Sequence, residues 1–202
     1  VGLPPGSNFA DMGKETTILV VASDLHEEAP LWWLRVKQAA ERGARLILAS
    51  PRPTRLDPYA SHVVRYPYGS EAGAVLAMVN ALSAKRPDLP EAAASLARSP
   101  ELKAAAAAFA EAENAVIIYG SDGTSLETSN ALAGACQNLL LATGHVGRPN
   151  NGLLAVWQRA NDQGAWELGW RPVADLPAAM QSAGALYIVA ADPAGDDPAY
   201  LA

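Results

Sequence analysis

The chain has one cysteine, Cys136. An internal disulfide is therefore excluded, and so is a zinc or iron–sulfur site held by several thiolates. In "ALAGACQNLLLATG" the residue reads as a small buried apolar group. Histidine is scarce as well. His26, His62 and His145 are never three or four residues apart, so no helical metal pair exists. Positive charge is in deficit: 15 basic residues against 21 acidic give a formal charge of −6. A surface of that sign does not draw nucleic acid or anionic lipid by bulk charge, and no basic cluster or RNA-binding motif is present. No run approaches the ~20 apolar residues of a membrane span. A signal-peptide pattern is missing too. So are the nucleophile elbow, the Walker loop and the G-x-G-x-x-G fingerprint.

What remains is apolar and orderly. Half the residues are hydrophobic, enough for a core without covalent staples. Residues 1–14, rich in Gly, Pro, Ser and Asn, read as a linker, and "VGLPPGSNFADMG" as a segment of a longer polypeptide. Residues 15–202 read as one α/β domain. "TTILVVA" (Thr16 to Ala22) has the continuous β-branched pattern of a strand buried on both faces. "PLWWLRVKQAAERG" follows as a helix, with Pro30 in its first turn and Gly43 just past its end. Leu31, Leu34, Ala39 and Trp33 are its expected inner face. "ARLILA" is a second buried strand, which completes a parallel, right-handed βαβ unit.

Beyond it, "SHVVRYP" reads as a short edge strand and "SEAGAVLAMVNALSA" as a helix with Ser70 placed to cap it. The alanine-rich stretch from Lys85 to Glu113 is helical packing material. "NAVIIYG" is a third strand and "SLETSNALAGACQNLLLATG" a long helix. Residues 145–172 read as a long loop dense in Gly and Asn, of the length that is usually specialised. Helix "LPAAMQSA" and strand "ALYIVA" close the chain. The main strands are expected near 16–22, 45–49, 115–119 and 185–190, in a three-layer sandwich with a mainly parallel sheet.

Three of these strands end alike: "VVASD" at Asp24, "IYGSD" at Asp122 and "IVAAD" at Asp192. Ligands of open parallel sheets sit beyond the carboxyl ends of the strands. An aspartate there either caps the following turn or accepts bonds from a ribose or guanine edge. Three together point to nucleotide-binding ancestry, with all three on one edge of the sheet. "SDLHEE" gathers Ser23, Asp24, His26, Glu27 and Glu28 at a helix start, an acid–base cluster in form, but the helix dipole favours acids there and the structural reading is preferred. "YGSDGTSLETS" could place an anion at a helix start, though its glycine spacing fits no phosphate loop. Arg52 and Arg55, in "SPRPTR", can pair with a phosphate or a carboxylate. Pro51 and Pro53 stiffen that loop, and Asp24, Glu71 or loop carbonyls are the expected acceptors for Arg52.

Several of these stretches, in this order, resemble the molybdopterin oxidoreductase superfamily. "TILVVASDLHEEAP" and "VKQAAERGARLILA" match its first strand, turn and helix. "SPRPT" stands for its D-P-R-x-T loop and "YGSE" for its P-G-T-D. "LLLATGHVGRP" stands for L-x-x-x-T-G-N-x-G-x-P, and "WQRANDQGAWELG" for the R-G-Q-N-N-x-Q-G-A-x-x-x-G stretch. The resemblance implies a Rossmann-like domain of the formate dehydrogenase third-domain type. In cofactor-binding members, two loop aspartates help hold a molybdopterin guanine dinucleotide. This chain has Ser50 and Glu71 there, and Tyr68 before Gly69.

"SDLHEEAPLWWLRVKQAAERGA" is most similar to the family of large peripheral-arm subunits of bacterial NADH:quinone oxidoreductase (respiratory complex I). That resemblance implies a scaffolding domain without a redox centre of its own or any catalytic residue. Its iron–sulfur clusters would lie elsewhere in the parent subunit. Its partners would be other regions of that subunit and neighbouring complex I subunits, in a peripheral arm on the cytoplasmic side of the bacterial inner membrane. Asp24, Ser50, Arg52, Thr54, Glu71, Asp122 and Asp192 would then outline a vestigial cleft. The alternative implied by the same resemblance is a domain of an active, guanine-dinucleotide-binding oxidoreductase.

Overall fold

The computed structural model describes residues 3–82, 89, 91–120, 126–157, 161–171, 173, 175–189, 191–192 and 195. The chain divides into two compact units, Val1–Ala160 and Asn161–Ala202.

In the first unit the elements run β1 (Thr16–Val21), α1 (Leu25–Glu28), α2 (Pro30–Glu41), β2 (Arg45–Ala49), β3 (His62–Val64), α3 (Glu71–Leu82), α4 (Glu91–Leu96), α5 (Pro100–Ala110), β4 (Asn114–Tyr119), α6 (Leu126–Thr143) and β5 (Gly152–Ala155). The strands form one five-stranded sheet in the order β3-β2-β1-β4-β5, and every pairing is parallel. β1 lies at the centre and all six of its residues are buried, as its unbroken apolar pattern predicts. Alternate residues feed two cores. Leu19 and Val21 point with Ile47 and Ile117 into a core shared with Val75, Met78, Phe109 and Leu139 of α3, α5 and α6. Ile18 and Val20 point with Leu46 and Ile118 into a second core closed by Val36 and Ala39 of α2. Helices therefore cover both faces, and the three-layer arrangement follows from strands apolar on both sides.

Helix ends obey local chemistry. Ser99 caps α5, its hydroxyl oxygen accepting from Leu102 N at 3.2 Å, and Pro100 occupies the first turn. α6 ends at Gly144, with φ +73. His145 N donates to Leu140 O at 2.9 Å and Gly144 N to Leu141 O at 3.3 Å, the paired bonds of a Schellman stop. The His145 ring is buried, held between Thr143 Oγ1 (2.8 Å) and Ala112 O (2.9 Å), and it meets the Phe109 ring edge to face.

Three expectations need correction. Leu31 and Leu34 do not form the inner face of α2: Leu31 is 77% exposed, while Ala39 and Trp33 do pack on the second core as expected, joined by Val36. The first turns are apolar all round, so periodicity could not choose a face; the crossover from β1 to β2 did. Residues 185–189 form no strand, and Tyr187 is 95% exposed. The place beside β4 is taken by β5, which lies inside the stretch read as a long loop. A β-branched run marks a segment able to pair, but a strand exists only where a ladder partner receives it. Residues 3–14, read as a linker, carry a 3-10 turn (Phe9–Asp11) and bury Met12 in the second core.

The second unit contains α7 (Asp162–Glu167) and α8 (Leu176–Ser182). Arg171 lies 4.0 Å over the Trp166 ring and donates to Trp166 O and Trp170 O, both at 2.6 Å. Asp175 caps α8 by accepting from Ala178 N at 3.0 Å.

Candidate functional site

The chain builds β2 and β3 on one side of β1, then crosses back to build β4 on the other. That reversal is the switch point where open parallel sheets place their ligands, just beyond the carboxyl ends. The residues leaving β1 and β4 there are Ala22, Ser23, Asp24 and Gly120.

Backbone crowding is tight at this point. Gly120 N donates to Val21 O at 3.0 Å. A Cβ at Gly120 would lie 2.5 Å from Ala22 O, 2.7 Å from Ser23 Cβ and 3.0 Å from Glu28 Oε2. Only glycine fits. Ala22 itself takes a left-handed φ of +50 while fully buried, a conformation that non-glycine residues hold only when their surroundings enforce it. Ser23 Oγ donates to Glu28, which folds back from α1 to meet it.

Asp24 does two things. Its Oδ1 accepts from His26 N at 3.2 Å, so it caps α1. Its Oδ2 accepts from Arg52 Nη1 at 2.8 Å, across the ends of β1 and β2. Arg52 thus takes a protein carboxylate as partner, the first of the acceptors its position suggested. The Asp24 side chain is 9% exposed and that of Arg52 42%, so the pair is screened by solvent on the arginine side.

The loop after β2 is tied by its own residues. Ser50 Oγ donates to Arg52 O at 2.8 Å. Asp57 Oδ1 accepts from Thr54 N at 2.9 Å and from Thr54 Oγ1 at 3.1 Å. Arg65, leaving β3, donates to Asp57 Oδ2 and to Ser50 O. Asp57 and Arg65 were missed in the sequence; the Thr-x-x-Asp spacing was the available signal for the first. Glu71, buried at the start of α3, accepts from Gly69 N at 2.9 Å, and Gly69 holds φ +84. Ser70 contributes its carbonyl, which accepts from Ala74 N at 2.8 Å.

Burial raises the Tyr119 phenol at the end of β4, and Coulombic coupling to Cys136 adds to it. Burial alone pushes the Cys136 thiol far up, so it carries no thiolate chemistry. Among the described residues, no group of three or more His, Cys, Asp or Glu could hold a metal ion, and no helix is long and apolar enough to cross a membrane.

The structure brings Asp24, Ser50, Arg52 and Thr54 to the carboxyl ends of β1 and β2, with Glu71 at the start of α3 after β3. Asp122 lies outside the described residues. Asp192 belongs to the second unit, is exposed and accepts from Gly195 N at 3.0 Å. It follows no strand of the sheet, because 185–189 is not one, so the threefold strand-plus-aspartate repeat is not realised in the fold.

A parallel sheet covered by helices hosts many unrelated functions, so sequence comparison decides the family. The profile of the Molybdopterin oxidoreductase family matches residues 6–198. The chain belongs to that family. Among curated proteins it is 25% identical over 190 residues to the F420-dependent formate dehydrogenase 1 subunit alpha of Methanococcus maripaludis, covering 82% of this chain and 28% of that one. It is 26% identical over 201 positions to the NADPH-Fe(3+) oxidoreductase subunit alpha of Geobacter sulfurreducens, covering 85% and 23%. It is 28% identical over 171 residues to the NADH-quinone oxidoreductase G 2 subunit of Rhizobium meliloti, covering 80% and 20%. The chain therefore spans about a quarter of the length of these curated relatives. Acetylene hydratase from Pelobacter acetylenicus superposes with a TM-score of 0.44 at 19% identity, over 68% of this chain and 22% of that one.

The family implies a pterin–guanine dinucleotide, and the donor set can be tested against it. The two positions where cofactor-binding members carry aspartate hold Ser50, whose hydroxyl meets its own loop, and Glu71, whose carboxylate meets the turn before its own helix. Arg52 faces Asp24. These groups do not make a set suited to a guanine and its phosphates.

Proposed function

We propose that this chain is a redox-silent scaffolding domain of a large subunit of the NADH:quinone oxidoreductase type, with the old dinucleotide cleft converted to structural use. The observation that carries the reading is the Arg52–Asp24 ion pair across the strand ends. A guanidinium suited to a phosphate is held by a carboxylate suited to a ribose, so each satisfies the other without a ligand. Similarity to the NADH-quinone oxidoreductase relative of Rhizobium meliloti supports the assignment to that kind of assembly. In this reading the clusters that carry electrons sit in other parts of the parent subunit. The domain braces that region and contacts neighbouring subunits of a peripheral arm on the cytoplasmic face of the bacterial inner membrane. Its charge of −6 agrees with protein partners rather than nucleic acid.

A second reading is a domain of an active molybdopterin enzyme, favoured by comparable identity to a formate dehydrogenase alpha subunit. One experiment separates the two. The intact protein is titrated with guanine nucleotide by calorimetry, with and without Arg52→Ala, and its molybdenum is measured. The scaffolding reading expects no binding in either form, no stoichiometric molybdenum and a lower melting temperature for the variant. Measurable guanine-nucleotide binding that Arg52→Ala abolishes at unchanged melting temperature would replace it with the second.

A further inference from the structure

The segment from Leu3 to Gly13 joins two parts of the first unit that are far apart in sequence. Arg42, just past α2, holds one side. Its Nε donates to Met12 O at 3.2 Å, and its Nη2 donates to Met12 O at 2.9 Å and Phe9 O at 2.8 Å. Phe9 packs on Trp32 with ring centroids 6.2 Å apart. The other side meets Asn150. Asn150 N donates to Ser7 Oγ at 2.8 Å, and Asn8 N donates to Asn150 Oδ1 at 2.8 Å.

Asn150 occupies the third position of a turn closed by Asn151 N donating to Arg148 O at 3.2 Å. Pro149 is second, and Asn150 has φ +56. Positive φ at the third position marks the type II arrangement; the commoner type I has negative φ there. The two differ by rotation of one peptide plane, that between the second and third residues. Both ends of that plane are held here. Its N–H, on Asn150, meets Ser7 Oγ, and its carbonyl, on Pro149, accepts from Asn151 Nδ2 at 3.0 Å. Rotating the plane breaks both bonds.

Asn151 carries the orientation into the sheet. It is fully buried. Its Oδ1 accepts from Ala115 N at 2.9 Å, and its Nδ2 also donates to Asn114 Oδ1 at 2.7 Å. It therefore supplies one rung ahead of the first β4–β5 pair, Val116 with Gly152.

We infer that the Leu3–Gly13 segment is a latch on the sheet's last strand. Seated, it holds the Pro149–Asn150 peptide in the type II orientation and, through Asn151, fixes the start of β4–β5 pairing. Displaced, it frees that plane to adopt the type I orientation, which costs Asn151 its bond to Pro149 O and loosens β5. Movement of the polypeptide ahead of β1 is thereby transmitted to the sheet edge. The inference stands apart from the proposed function, because it uses no residue of the carboxyl-end cleft.

The test is amide hydrogen exchange on the intact protein. Ser7→Ala removes one acceptor from the latch. Exchange at Ala115 and at residues 153–155 should rise about five-fold, the change in open population that losing one ordinary hydrogen bond permits, while Ile18 to Val20 stay unchanged. Adding Asn150→Gly to Ser7→Ala should restore protection, because glycine holds positive φ without the latch. No rise in Ser7→Ala overturns the inference. So does a rise spread equally over β1, and so does a local rise that glycine fails to rescue.

Discussion

The two ends of the sheet use polar side chains differently. At the carboxyl end, Asp24 and Arg52 pair side chain to side chain across neighbouring strands, partly open to water. At the amino end, Asn151 is buried and bonds backbone groups of both β4 and its own turn. A side chain that substitutes for backbone in a sheet ladder is irreplaceable by ligand or solvent, since its partners cannot move. A side-chain ion pair above a crevice can be exchanged for other partners. The buried asparagine belongs to the fold; the ion pair lies beyond the strand ends, where open parallel sheets place their ligands.

The largest test of this contrast is Asn151→Ala. It leaves the buried Ala115 N–H without an acceptor and removes the bonds to Asn114 and Pro149, and should cost about 3 kcal/mol in chemical denaturation. A loss below that of Arg52→Ala would reverse the comparison. Next is Gly120→Ala. Its new methyl meets backbone at 2.5 Å, so the ends of β1 and β4 must separate at a cost of about 2 kcal/mol. A neutral effect would mean the crevice is looser than its contacts imply.

Arg52→Ala should cost about 1 kcal/mol, because its partner is buried but the arginine is partly solvated, and Asp24 keeps its bond to His26 N. The smallest effect is the dependence on salt. Raising ionic strength should narrow the gap between wild type and Arg52→Ala while leaving the Asn151→Ala deficit unchanged. Equal salt sensitivity at both ends would remove the distinction between them.

Much of the first unit was legible because its signals are local. The buried runs at Thr16–Val21, Arg45–Ala49 and Asn114–Tyr119 each became strands, and Pro30 and Gly43 mark the two ends of α2 as their chemistry requires. The Arg52–Asp24 contact was legible too, since stiff prolines and a neighbouring strand end leave few acceptors in reach. Asp57 and Arg65 were not, because their meeting depends on how the loop after β2 folds back on β3. Nor was the role of Asn150 and Asn151, which read only as loop-formers among glycines until the segment before β1 closed on them.

Amino-acid order is enough to specify a parallel α/β domain with helices on both faces, because unbroken β-branched runs separated by helices admit few other arrangements. Which apolar segment became the fifth strand was settled only by contacts between distant parts of the chain. Gly152–Ala155 and the run from Leu186 to Val189 both carry apolar pairing potential, and the second is the more β-branched. The first won because the Asn151 side chain ties it to β4 at Ala115 N, and a strand is a property of a pair, which no single segment encodes.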